Sequence, residues 1–166
     1  MKISIAIIGA GNIGVAIAQG LVYSKKFKSN QIMLTTRHKK NLNHLKKSGF
    51  NISENNTQAI QNSEIIIICV TPNQIKKLSN EIKNMFKKKQ LVISVVSGVS
   101  IRELEICLEF NNIIRAMPNT AASICESMTC ISSKNNQSKQ TKLARKIFDI
   151  VGSTLLIHEE QMASAT

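Results

Sequence analysis

Lys2-Ile3-Ser4-Ile5-Ala6-Ile7-Ile8-Gly9-Ala10-Gly11-Asn12-Ile13-Gly14 takes a β-branched, apolar run straight into the pattern G-x-G-x-x-G. The residues that follow, Asn12 to Tyr23, place apolar side chains at Ile13, Val15, Ala16, Ile17, Leu21 and Val22, which suits a helix. A strand, a glycine turn and a helix in that order are the expected phosphate-binding start of a dinucleotide-binding unit. Each glycine has its own task there. Gly9 permits the tight turn, Gly11 lets the backbone approach a pyrophosphate, and Gly14 allows the helix to pack closely. The N–H groups and the dipole at the helix start then hold the anion. The plainer alternative is a glycine turn that serves packing alone.

Outward from this turn the same alternation continues. Gln31–Thr36, Ile65–Val70, Leu91–Val96, Asn112–Met117, Met128–Ser132 and Thr154–Ile157 read as further strands after Lys2–Ile8. Between them, a polar helix is predicted over Lys39–Lys47, held down by Leu42 and Leu45. Another follows Thr71-Pro72 with Ile75, Leu78, Ile82, Met85 and Phe86, and a third carries Ile101, Leu104 and Leu108. A last helix carries Leu143, Ile147 and Ile150, with Gly152 placed to cap it. Strands apolar on both faces, interleaved with helices, predict an α/β fold. The expected form is a doubly wound, mostly parallel sheet of Rossmann type, covered on both sides. Residues 1–157 are assigned to this domain and 158–166 to the start of a linker helix. Met162 to Thr166 reads as a helix start with nothing to pack against, as in a truncated chain.

The end of the second strand decides the dinucleotide. NAD-binding turns place Asp or Glu there to accept the ribose hydroxyls. The one Asp of this chain is the distant Asp149, and the strand end reads Thr35-Thr36-Arg37-His38-Lys39-Lys40. Hydroxyls and a guanidinium suit a 2′-phosphate, so NADP(H) is preferred, with NAD(H) as a secondary cofactor. Arg37 and the lysines also read, more plainly, as a solvated helix start. Arg115-Ala116-Met117-Pro118-Asn119-Thr120 lies at the carboxyl end of another strand, where ligands bind in such sheets. Pro-Asn is equally at home as turn chemistry alone.

Composition narrows the function classes. The 166 residues suffice for one domain with a sizeable core, burying roughly 70% of the unfolded surface. A formal charge of +12 resembles a nucleic-acid signal. However, 18 Lys, 25 Ile and 16 Asn point to codon bias, and 4% aromatics without Trp offer no stacking platform. No nucleic-acid partner is expected. The longest apolar run, Ile65 to Val70, falls far short of the ~20 residues of a bilayer span, so no membrane segment is expected. The N-terminus is too short for a signal peptide, which makes the cytoplasm the default location. Cys69, Cys107, Cys125 and Cys130 lack C-x-x-C spacing and read as reduced, small hydrophobes. His38, His44 and His158 are scattered, and no metal site is predicted.

These segments together resemble pyrroline-5-carboxylate reductase. The stretch Ile7 to Leu21 is similar to that family's opening, Val70-Thr71-Pro72-Asn73 to its V-K-P-Q, and Val95 to Val99 to its small-residue loop. Arg115-Ala116-Met117-Pro118-Asn119-Thr120-Ala121-Ala122 resembles R-x-M-P-N-x-P-A, and Glu159 to Thr166 resembles E-x-x-M-D-A-x-T. Thr71, Ala121 and Ala163 depart from the usual Lys, Pro and Asp. The resemblance implies that Ile8, Gly9, Ala10, Gly11, Asn12 and Ile13 wrap the pyrophosphate. Thr36 and Arg37 would meet the 2′-phosphate and Asn56 the adenosine ribose. Val70, Thr71 and Pro72 would line the cofactor. Ser97, Ala116 and Asn119 would lie near the nicotinamide, with Asn119 and Glu159 on the substrate side. It implies reduction of 1-pyrroline-5-carboxylate to L-proline by NADPH. It also implies a C-terminal helical domain, not found in these residues, that makes the full-length enzyme a homodimer or higher oligomer. The piece alone would be monomeric and poorly active. No side chain here reads as a general acid, so no catalytic residue is named. A deazaflavin-dependent NADP reductase or a β-hydroxyacid dehydrogenase would share the N-terminal turn, but not R-x-M-P-N in this form. A non-catalytic nucleotide sensor is the third class.

Overall fold

A computed structural model describes residues 4–37 and 42–165. Ile5–Ile8 (β1), Ile32–Thr35 (β2), Asn51–Ser53 (β3), Ile65–Ile68 (β4), Leu91–Ser94 (β5), Ile114–Met117 (β6), Ser127–Ser132 (β7) and Gly152–Leu156 (β8) form one sheet. Its order is β3-β2-β1-β4-β5-β6-β7-β8. Only β6 and β7 run antiparallel; every other neighbouring pair is parallel. The α-helices are Asn12–Tyr23 (α1), Asn43–Lys47 (α2), Asn56–Gln61 (α3), Pro72–Ile82 (α4), Ile101–Leu108 (α5) and Lys139–Phe148 (α6).

The solid isoleucine strands explain the two-sided cover. Side chains alternate across a strand, and β1 pairs with β4 as Ile5 to Ile65 and Ile7 to Ile67. Those four face a core with Ile17 and Leu21 of α1, Leu45 of α2 and Phe148 of α6. Ala6, Ile8, Ile66 and Ile68 face the other core with Ile60 of α3, Leu78 and Ile82 of α4, and Leu104 of α5. The expected doubly wound fold is what forms.

Several expected elements differ in detail. The strand expected over Ile65–Val70 ends at Ile68, because Cys69 and Val70 turn out toward the crevice beside Gly9. Lys2, Ile3 and the first part of the expected Lys39–Lys47 helix lie outside the described residues. Strand β3 and helix α3 were not expected at all. In α6 the buried residues are Thr141, Ala144, Ile147 and Phe148, whereas Leu143 faces solvent. Gly152 does not cap α6, whose C-cap is Asp149. Instead Gly152 opens β8 with φ +151, where any side chain would collide with the backbone of Ser127. The final segment, Glu159–Ala165, is a 3-10 helix, and it does pack: Met162 is buried.

A close contact locks α1 to the segment after β6. Gly20 lies so near the 3-10 turn Thr120–Ile124 that a methyl there would collide with the Ala122 carbonyl oxygen. The Cys125 thiol points to the Gly20 carbonyl from the same side, at 3.4 Å.

Candidate functional site

The chain runs from β1 outward to β2 and β3, then crosses back to β4 on the other side of β1. The connections after β1 and β4 therefore diverge, and a crevice opens at the carboxyl ends of these two strands. That is the position at which doubly wound sheets bind ligands.

The glycine loop forms one wall. Gly9 has φ +99, and a methyl there would lie 2.8 Å from the Cys69 carbonyl oxygen, so only glycine fits. The Gly9 N–H donates to Thr35 Oγ1 at 3.2 Å, and the Ala10 N–H donates to the Thr35 carbonyl at 2.8 Å. These bonds stitch the loop to the end of β2. A methyl on Gly14 would stand 2.5 Å from the Gly9 carbonyl, which makes Gly14 the close-packing glycine. Gly11 is the opposite case, with no atom within 4 Å of where its side chain would be. It precedes α1, whose first turn has neither a capping side chain nor an acidic residue. The first N–H groups of a helix have no intrahelical partner, so this terminus can receive an anion.

The cleft holds about 380 Å³. Of the residues singled out from sequence, it brings together Ile8, Gly9, Ala10, Gly11, Thr36, Arg37, Asn56, Val70 and Thr71. Asn12 and Ile13 belong to the first turn of α1 and Pro72 begins α4, beside the cleft but not lining it. Ser97 is exposed after β5, and Ala116 is buried in β6 against the first core. Asn119 caps the 3-10 turn: its Oδ1 accepts the Ala121 N–H at 3.0 Å, and its own N–H donates to Ser127 Oγ at 3.2 Å.

Glu159 lies away from this cleft and already has partners. Its Oε1 accepts the Ile101 N–H at 2.6 Å and Nη1 of Arg115 at 3.0 Å. Arg115 is only 7% exposed. The carboxylate thus ties the segment after β8 to the start of α5 and to β6.

The sequence reading missed the far wall of the cleft, supplied by Gln74, Lys77, Leu78 and Glu81 of α4, and missed Glu54 after β3. The spacing 74, 77, 78, 81 is one helical face and was available as a signal. Asn56 Nδ2 donates to both carboxylate oxygens of Glu81, at 3.1 Å each. Asn55 serves α3 instead, its Oδ1 accepting the Gln58 N–H at 2.8 Å. The cleft wall therefore mixes Arg37 and Lys77 with Glu54 and Glu81. Cys69 also lines the cleft, and burial pushes its thiol far above the ordinary range. Among the described residues no group of three His, Cys, Asp or Glu could hold a metal, and no helix is long and apolar enough to cross a membrane.

Comparison with known proteins agrees with this geometry. A family model described as "NADP oxidoreductase coenzyme F420-dependent" matches residues 4–98, the strands and glycine loop that build the cleft. The chain belongs to that family. Over its whole length the chain is similar to pyrroline-5-carboxylate reductases, as the sequence resemblance implied. It is 41% identical to pyrroline-5-carboxylate reductase 1 of Dictyostelium discoideum, a match covering 98% of this chain and 32% of that one. The pyrroline-5-carboxylate reductase structure from Coxiella burnetii superposes with a TM-score of 0.86 at 31% identity, over 98% of this chain and 62% of the other. The Plasmodium falciparum pyrroline carboxylate reductase, solved with NADP bound, gives 0.84 at 26%, over 96% and 59%. The chain thus spans from about a third to three-fifths of these relatives.

Proposed function

We propose that residues 1–157 are the dinucleotide-binding unit of an NADPH-dependent reductase that converts 1-pyrroline-5-carboxylate, a small molecule, to L-proline. The observation that carries this reading is a single cleft running from the glycine loop to Thr36 and Arg37. The residues fit the cofactor. Gly11 leaves open space for the pyrophosphate at an uncapped helix start, and Arg37 is an exposed cation where an NAD-specific turn places a carboxylate. When bound, NADPH would supply the hydride that, with one proton, reduces the C=N bond. The residues of this chain bind and orient. Ile8 to Ile13 would surround the pyrophosphate, Thr36 and Arg37 the 2′-phosphate, and Asn56 the ribose, with Val70, Thr71 and Pro72 along the cofactor. Ser97, Ala116 and Asn119 would stand at its reactive end, with substrate beyond Asn119. Glu54 and Glu81 in the same cleft support NAD(H) as the second reading. The reading places the protein in the cytoplasm, where its four free thiols would stay reduced, and takes the full-length protein to be a homo-oligomer.

Titrating the 166-residue polypeptide with NADPH and NADH tests the assignment. NADPH binds more tightly, and Arg37→Ala narrows the difference by about 1.5–3 kcal/mol, the range for hydrogen bonds to charged groups. Equal affinities in the parent overturn it.

A further inference from the structure

We propose that Glu81 is a positioning residue of the cleft, acting through Asn56; the inference rests on the dinucleotide reading above. A carboxylate at neutral pH only accepts hydrogen bonds, so the end of the Asn56 carboxamide turned toward it must be the NH2. Both Glu81 oxygens lie 3.1 Å from Asn56 Nδ2, which fixes that orientation from two sides. The polar group Asn56 then has left for a ligand is Oδ1, an acceptor. An acceptor suits a hydroxyl and repels a phosphate, so this position reads a sugar hydroxyl, while the guanidinium of Arg37 in the same cleft suits the phosphate. Glu81 stands on the cleft-facing side of α4, one turn after Lys77. The helix that carries the exposed Glu81 is held by packing independent of the ligand: Leu78 and Ile82 are buried. Without Glu81 the carboxamide can turn over and offer the cleft its NH2 instead.

Glu81 also carries charge, and removing a negative charge from a phosphate-binding cleft strengthens binding by itself. The pair E81Q and E81A separates the two effects. Both are neutral, but only glutamine keeps an oxygen that can accept from Asn56 Nδ2. Equilibrium NADPH binding is expected to be about fivefold tighter in E81Q than in E81A, the worth of one net hydrogen bond. The ratio is expected to collapse to about one when both are combined with N56A. In the ligand-free protein, the Asn56 side-chain NH2 resonances are expected to keep nearly the parent shifts in E81Q and to move in E81A. Equal NADPH affinities for E81Q and E81A, or a ratio that persists in N56A, overturn the role of Glu81 alone. A parent that binds no NADPH overturns the cofactor reading and the inference with it.

Discussion

Gly11 and Gly14 stand three residues apart, yet a side chain meets opposite conditions at each. At Gly11 it enters open space, and the backbone there is extended with φ −81, a value any residue adopts. Gly11→Val is therefore expected to fold, with a loss of no more than about 1 kcal/mol at this N-cap. It would lose NADPH, because the branched side chain fills the approach of the pyrophosphate; circular dichroism and fluorescence titration check both halves. Gly14→Ala is expected to do the reverse, costing about 1–3 kcal/mol as the added methyl presses on the Gly9 carbonyl. Urea unfolding reads that difference. The open space at Gly11 and the crowding at Gly14 are both what the glycine spacing leads one to expect. The partnership of Asn56 with Glu81 was not, since 25 residues separate the two and only the docking of α3 beside α4 brings them together.

Helix α5 begins with a reciprocal cap. Ser100 Oγ accepts the Glu103 N–H at 3.2 Å, and Glu103 Oε2 accepts the Ser100 N–H at 2.8 Å. Hydrogen bonds from Ser100 hold the Glu103 carboxyl below the ordinary glutamate range. Its folded pKa is thus lower than its unfolded one, so the cap stabilises above the unfolded value and weakens as pH falls through the folded one. Ser100→Ala is expected to cost about 1 kcal/mol at pH 7. The gap from the parent should shrink at pH 3, measured by denaturant unfolding at both. The segment after β8 is held by Glu159 on the nearly buried Arg115. Glu159→Ala would strand that guanidinium, at a cost of about 1–3 kcal/mol given a carboxylate 35% exposed. Glu159→Gln recovers part of the loss in thermal unfolding. Apolar periodicity revealed the long elements, but β3 is only Asn51-Ile52-Ser53, with a single apolar residue, and α3 buries just Ala59 and Ile60. Such short polar pieces owe their structure to pairing with β2 and to packing, which no local pattern announces.

At the level of the whole molecule, the isoleucine strands and the glycine turn made the doubly wound sheet legible before any coordinates. The reversal between β6 and β7 was not, because direction depends on what the intervening Pro118 to Glu126 does in space. The 166-residue polypeptide, which spans up to three-fifths of the relatives compared, is expected to sediment as an 18.3 kDa monomer, to bind NADPH, and to turn over 1-pyrroline-5-carboxylate feebly. Analytical ultracentrifugation and steady-state NADPH oxidation check this. Gly20 sets a distance as well as a contact. It lies about two turns along α1 from the phosphate cradle and abuts the turn that begins at Asn119. The helix and that turn are spaced like two jaws on a gauge block, and the block's thickness is the missing side chain. Gly20→Ala would have to push the jaws apart, since the added methyl would stand far inside contact distance of the Ala122 carbonyl oxygen. Under the reductase reading, a methyl that touches no ligand would thus move Asn119 away from the cofactor's reactive end, at a cost in stability larger than that of Gly14→Ala, which urea unfolding reads.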